Sequence, residues 1–529
     1  MKPILPILSR IESDSDTHAW RFVIAITVTL ATVLELIDTS IVNVAIPHMM
    51  GSLGATLDEI AWVSTGYVVA NVIVLPISGW LSEYFGRRNY FALSIILFTL
   101  SSIMCGNATT LGGLVFWRIV QGLGGGGLIS TAQATIYEIF PAREAATAMA
   151  IFGMGIMSGP MLGPTLGGWI TDTWSWPWIF YINIPLGIFA LLLTLMFVPD
   201  SKFGTRASNV DGFGFLLLAV GIGCLQTMLE RGERLNWFES REILAYAFFS
   251  ITALLLFVRQ ELRHPHPIVQ LRILRDRQFA ACMTFGFLLG SALYGTVFIL
   301  PVYMQTLLGF TAWDSGMVVM PGAVASAVGM VVAGRLMDKT RLDLRIYPVC
   351  GALIFGYSMW RHSLFTTSTG WDDFLWPMML RGFGLSMIFL PINNLSLGNL
   401  PQHQIAGGSG LFNLMRQLGG SVGIAVTATL FAQFQEQNRG ELLRHVTPYA
   451  MATQERLAHL KTLMMAHGVS ENLAQTKALL LMNAQVGRQA AMLSFEHLFL
   501  LYGITLFSAL PLLLLMQKTD LQRGGEAVH

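Results

Sequence analysis

Charge is what this sequence has least of. Of 529 residues, 12% are Asp, Glu, Lys or Arg and 53% are hydrophobic; soluble chains carry about twice that charged share. A soluble globular chain is thereby excluded, and an all-α polytopic membrane protein is expected. The net charge of +1 offers nothing to a polyanion, so no nucleic-acid partner is expected. Cysteine is equally sparse. Cys105, Cys224, Cys282 and Cys350 lie in separate apolar segments without CxxC spacing, which argues against disulfides or a thiolate metal site. His264 and His266 flank Pro265 in a basic loop without a ligand cluster; no metal and no cofactor are expected. Met1 to Trp20 lacks an apolar core with a cleavage site, so insertion is expected to start from the first spanning helix.

Long apolar runs are what the chain has instead. About 20 apolar residues cross the roughly 30 Å hydrocarbon layer. Fourteen spans are expected, near 21–46, 60–82, 89–106, 111–135, 145–170, 177–198, 212–230, 242–259, 279–303, 314–334, 346–361, 373–395, 404–432 and 497–516. An even number places both termini on one side, and loop charge selects the cytoplasm. Arg259, Arg263, Arg272, Arg275 and Arg277 share one loop; Arg335, Lys339, Arg341 and Arg345 share another; Arg87-Arg88 and Lys202/Arg206 fall on the same side. Loops 47–59, 106–110, 171–176 and 304–312 contain no Lys or Arg and are expected outside. The loop with Arg231, Arg234 and Arg241 runs against the rule.

Internal repetition divides the chain. Gly79-x-Leu81-x-Glu83 recurs as Gly334-x-Leu336-x-Asp338, and Arg118 early in span 4 recurs as Arg381 early in span 12. Two six-helix halves are expected, 1–198 and 278–529, with two inserted helices and a cytoplasmic linker at 199–277. Such halves around a central cavity suit a transporter.

Charges within hydrocarbon cost several kcal/mol and need a reason. Glu35 and Asp38, three residues apart, share a face of span 1. Counting about 1.5 Å per residue, Asp38 lies about 25 Å up from Arg21, and Arg118 about 10 Å below the outer surface of the antiparallel span 4. The two reach similar depth, so an ion pair is plausible. Carboxylates beside a movable guanidinium form a protonation switch; a static pair that fixes helix register is the competing reading. Proton coupling is assigned to Asp38, Arg118 and Glu35. Glu35 can instead touch substrate, with Asn43, Gln121, Asn413 and Arg416 lining the cavity. Arg416 has no evident acidic partner in its own half.

Glycines mark candidate moving parts. Gly159-Pro160 and Gly163-Pro164, followed by Gly167 and Gly168, place small residues on one helix face for close approach, while the prolines bend the helix. At the cytoplasmic edge, Gly79, Glu83, Gly86, Arg87 and Arg88 form a second candidate gate, with Gly86 turning the chain and Glu83 free to cap or pair across to a neighbouring helix. Gly122-Leu-Gly124-Gly-Gly-Gly127 spells a G-x-G-x-x-G string but follows a membrane helix, so a packing face is expected rather than a dinucleotide site. Residues 433–496 read as an outward helical hairpin: Thr447-Pro448 suggests an N-cap with proline behind it, Leu457, Leu460, Leu463 and Met464 follow at helical spacing, and a second run covers 471–493. Its Met and Leu residues offer a docking face.

Together these motifs resemble the major facilitator superfamily in its fourteen-span drug:proton antiporter family. Leu36 to Pro47, with Asp38 and Asn43, is similar to that family's first-helix signature. Gly79 to Arg88 resembles the loop 2–3 motif, Arg118 to Gly122 the proton-linked fourth-helix motif, Ser158 to Gly168 the antiporter motif, and Trp178 to Pro185 the sixth-helix stretch. Gln226 to Gly232, Asn236-Trp237-Phe238, Pro267-Ile-Val269 and the long outer loop resemble the EmrB-type multidrug exporters. The resemblance implies a proton-coupled pump for hydrophobic drugs or uncouplers in a bacterial inner membrane, joined to a periplasmic adaptor and an outer-membrane channel. It departs at Glu83, where Asp is frequent, at the additional acid Glu35, and after Asp338. An exporter of a self-made metabolite is the nearest alternative. A membrane enzyme or a scaffold is more remote, since no His–acid or Ser cluster converges at one membrane face.

Overall fold

The computed structural model describes residues 18–201, 211–265, 267–339, 342–398 and 400–516. Lys202, Arg206, His266, Arg341 and the segment before His18 lie outside the described residues. The first half contains α1 (His18–Leu53), α2 (Leu57–Val74), α3 (Ser78–Phe85), α4 (Arg87–Gly106), α5 (Leu111–Gly125), α6 (Leu128–Ile139), α7 (Ala142–Thr173), α8 (Trp178–Tyr181) and α9 (Asn183–Phe197). An inserted pair follows, α10 (Gly212–Arg231) and α11 (Arg241–Arg263). The second half comprises α12 (Arg277–Leu307), α13 (Ala312–Lys339), α14 (Ile346–Ser363), α15 (Trp371–Leu397), α16 (Ile405–His445), α17 (Met451–Ala466) and α18 (Glu471–Ala509).

Helices satisfy every backbone group locally, as the hydrocarbon interior demands, and polar residues at their ends take up the leftover donors. Thr56 and Glu59 close a capping box at α2, Thr110 accepts from Gly113 N–H at α5, and Asp276 accepts from Gln278 N–H at α12. All fourteen expected segments are helical. By length and apolarity alone, ten spans qualify among the described residues, eleven when α7, bent by 42° beside Pro160, counts as one. The expected spans outside that measure are α5–α6, α14 and α16. The first is interrupted at Gly126-Gly127 and holds Arg118, the second ends in Arg361-His362, and the third carries Arg416 among glycines and amides. Helices facing protein rather than lipid can keep such residues.

Within the halves, α1 runs against α7, α5 against α2 and α4, α12 against α16, and α15 against α13 and α14. The halves meet along two seams: α7 with α13, and α16 with α3 and the Leu75–Ile77 turn before it. At about 1.5 Å per residue, the 41 residues of α16 and 39 of α18 give rods of roughly 60 Å, twice the hydrocarbon thickness. The 433–496 segment is therefore largely a continuation of these two helices. Upon α18 lies α17, through Leu460, Ala478 and Met482. Thr447-Pro448 does not cap α17: after His445 the chain reverses through a turn closed by Ala450 N–H to Thr447 O, and the helix restarts at Met451.

Candidate functional site

Asp38 and Arg118 are 0% and 1% exposed, and Arg118 Nη1 lies 2.6 Å from Asp38 Oδ2. Arg118 Nε donates to the Val63 carbonyl at 3.1 Å, Nη1 also reaches Gln121 Oε1 at 2.6 Å, and the Tyr67 ring centroid is 4.1 Å from the guanidinium carbon. The second carboxylate oxygen, Oδ1, accepts from Gln121 Nε2 at 3.0 Å and Asn183 Nδ2 at 2.6 Å. Asn183 is anchored in turn on Ser102 Oγ at 3.0 Å. Side chains of α5 and α9, the latter braced by Ser102 of α4, thus surround the carboxylate that α1 carries. Oδ1 accepts two hydrogen bonds and Oδ2 one.

Glu35 lies one turn along α1 from Asp38. Its Oε1 accepts from Asn71 Nδ2 at 2.7 Å, whereas Oε2 has no partner among the described residues. Across the halves stands Arg416 of α16, within Coulombic reach of Glu35. Arg416 donates to Tyr294 Oη at 3.2 Å and Asn413 Oδ1 at 3.3 Å, and its Nε has no partner among the described residues. The acidic neighbour of Arg416 comes from the opposite half. Asn413 Nδ2 in turn donates to Gln133 Oε1 of α6 at 2.7 Å. Gln121 belongs to the Asp38 network rather than to the space between the halves. Asn43 sits two turns beyond Glu35, exposed, accepting from Ser64 Oγ at 3.1 Å. Along Glu35, Thr39 and Asn43, one face of α1 passes from buried to exposed.

The glycine stripe of α7 faces the helix that carries Asp38. Built Cβ atoms at Gly159, Gly163 and Gly167 would meet Leu36, Ser40 and Ile41 of α1 at 2.5, 1.8 and 2.9 Å. Gly168 is buried and Pro160 and Pro164 lie within the same bent helix. A further glycine, Gly155, extends the stripe to Thr29 and Val33.

At the opposite end the repeated motifs become cross-half contacts. Gly79 approaches Gly407 so closely that a Cβ would lie 2.8 Å from its backbone nitrogen, and Gly334 lies against Ala146 and Ala150. Asp338 accepts from Thr147 Oγ1. Between these points Gln133 bonds to Asn393, Tyr137 Oη donates to Asn394 Oδ1 at 2.6 Å, and Ser409 Oγ donates to Ser130 O at 3.0 Å. The cleft is closed at this end. Gly86, with φ +84°, makes the tight turn between α3 and α4 beside Asp200, whose carboxylate accepts from Arg88 N–H at 3.2 Å; Arg88 Nη2 also donates to the Leu195 carbonyl. Arg87 pairs with Glu138 of α6, both nearly buried, and Glu83 forms no ion pair among the described residues. Sequence reading missed Asn183, Asn71, Tyr67, Tyr294, Gln133 and Glu138; the available signal was that an amide or phenol inside an apolar run needs a partner.

Comparison with known proteins places this geometry. The sequence profile of the Major Facilitator Superfamily matches residues 28–424. The chain is 32% identical over 510 residues to the fatty acid resistance protein FarB of Neisseria gonorrhoeae, covering 96% of this chain and 97% of that one. It is also 32% identical over 447 residues to the multidrug export protein EmrB of Escherichia coli K12, covering 84% and 86%. Among solved structures, the proton:xylose symporter XylE superposes with a TM-score of 0.58 at 14% identity, covering 96% of this chain and 99% of that one, a likeness of fold.

Proposed function

Because the chain belongs to the major facilitator superfamily, we propose that it is a proton-coupled antiporter exporting hydrophobic toxic compounds from the cytoplasmic side of a bacterial inner membrane. Its two halves, 1–198 and 278–529, rock about the central cleft, with the fourteen helical segments as spans and both termini cytoplasmic. The observation that carries this reading is the Asp38 carboxylate, buried among Arg118, Gln121 and Asn183. Proton arrival from outside neutralises Asp38 and loosens its donors, and the proton leaves inward once the arginine returns. One proton falling through 100 mV releases about 2.3 kcal/mol, enough for roughly a fortyfold gradient of a neutral compound. The stripe of Gly159, Pro160, Gly163, Pro164, Gly167 and Gly168 is the flexing contact that transmits the change. Gly79, Glu83, Gly86, Arg87 and Arg88 form the cytoplasmic gate. Glu35, Asn43, Asn413 and Arg416 meet the substrate, and the extended outer helices engage a periplasmic adaptor leading to an outer-membrane channel.

The test uses purified protein in proteoliposomes with an imposed pH gradient and a panel of lipophilic compounds that are not protonophores. Compound-dependent proton flux is expected in the wild type and absent in Asp38→Asn, whose yield and folding remain near normal. Coupled export by that variant would refute the assignment. A second substrate reading is favoured by FarB, named for fatty acid resistance, and by the guanidinium of Arg416 at the cleft. Long-chain fatty acids therefore belong in the panel, with loss of their flux alone expected in Arg416→Gln.

A further inference from the structure

The two halves repeat an intramembrane arginine, but only one repeats with an acid. In the first half Arg118 faces Asp38 on the first helix of that half. In the second half the equivalent Arg381 faces Thr296 on α12: Nε and Nη2 donate to Thr296 Oγ1 at 3.2 and 3.0 Å, and Nη1 has no partner among the described residues. Arg381 is 0% exposed. No Asp or Glu among the described residues forms an ion pair with it. The acids of its own helix, Asp372 and Asp373, lie at the helix start, about 12 Å away or more at 1.5 Å per residue.

His362 of α14 completes the surroundings. It is 0% exposed, lies within Coulombic reach of Arg381, and its Nε2 has no hydrogen-bond partner among the described residues. Nδ1 sits 2.8 Å from the Ser358 carbonyl and so carries the proton. Neutral His362 then presents a lone pair, which can receive a donor but supplies no negative charge. Thr296 supplies none either, because its hydroxyl already donates to the Ala292 carbonyl at 2.7 Å. Hydrogen bonds alone leave a full positive charge buried in a medium where an unpaired charge costs several kcal/mol.

We infer that Arg381 holds, at its free Nη1, a small monovalent inorganic anion, chloride under ordinary conditions, as the counter-ion that Asp38 provides in the other half. The ion would contact the free Nη1 and stay within the second half, so that this half keeps a constant charge while Asp38 changes its own. The site is separate from the cleft, and it takes no part in loading the transported compound.

The experiment measures thermal stability of the purified full-length protein in sodium chloride and in sodium gluconate at equal ionic strength. Wild-type protein is expected to gain a saturable increase in melting temperature with chloride, as ligand linkage requires. Thr296→Asp places a carboxylate where the first half has one. It should lose that chloride dependence at least fivefold while melting in gluconate no lower than wild type; Thr296→Ser should keep the dependence. An equal chloride effect in wild type and Thr296→Asp, or none in folded wild type, would overturn the proposal. Should Thr296→Asp fail to fold, anomalous scattering from wild-type crystals grown in bromide decides: a bromide peak against Arg381 supports the site, and its absence refutes it.

Discussion

Replacing Gly163 by alanine tests the contact between α7 and the helix that holds Asp38. The added Cβ would fall 1.8 Å from Ser40 Oγ, 2.7 Å from Ser40 Cβ and 2.9 Å from Ile41 N. Rotating the serine hydroxyl removes the first clash only. The other two involve the trunk of α1, and ordinary contact begins at 3.4 Å, so the helices must part by several tenths of an ångström. Ser40 is two residues from Asp38, whose bonds to Arg118 and Asn183 are both 2.6 Å long and would be misaligned. Overpacking of this kind costs about 1–3 kcal/mol. If that cost falls on one conformation of the cycle, each 1.4 kcal/mol slows transport about tenfold. Compound-dependent proton flux in proteoliposomes should fall about five- to 150-fold, with a lower melting temperature. Ser40→Ala as a second change should not restore it, because Ser40 Cβ and Ile41 N remain; Ser40→Gly should restore part. By contrast Gly155→Ala meets only the terminal carbons of Thr29 and Val33 and should be milder. A Gly163→Ala protein that transports within twofold of wild type at an unchanged melting temperature would refute the reasoning.

Two further predictions concern the closed end of the cleft. Glu138→Gln leaves Arg87 buried without its counter-charge, a loss of about 3–5 kcal/mol, and should lower the melting temperature; Arg87→Gln/Glu138→Gln together should recover part of it, read as a double-mutant cycle. Gln133→Leu removes the bonds to Asn393 and Asn413, each net about 1 kcal/mol. That should raise maleimide labelling of Ser409→Cys in a background without native cysteines, and unchanged labelling would count against a gate there.

Helix positions were legible because lipid enforces long apolar runs, and the Asp38–Arg118 pair because two charges at equal depth in adjacent helices have few other partners. Neighbours were less legible. The spacing of Gly159, Gly163 and Gly167 announced a close approach without saying that α1 supplies it. Arg416 lacked an acid in its own half, and only docking of the halves brings Glu35 toward it. Asn183 and Asn71 are neutral and short, so nothing in their local sequence encodes a direction. Arg87 was adjacent to Glu83 in sequence yet pairs with Glu138, since residues four apart on either side of the Gly86 turn do not share one helix face.

The rod of α16 joins events at its two ends. It starts at the tight seam where Gly407 meets Gly79 and Gly410 lies against the Leu75 carbonyl, passes Asn413 and Arg416 in the cleft, and ends at His445 without a break. Its roughly 60 Å length makes the seam a fulcrum and the outer tip the long arm of a lever. A tilt of about 10° at Gly407 would sweep His445 through roughly 10 Å by that length, several times the displacement felt at Arg416. If the seam at Gly407 loosened, the tip formed by α16, α17 and α18 would be where the movement is largest.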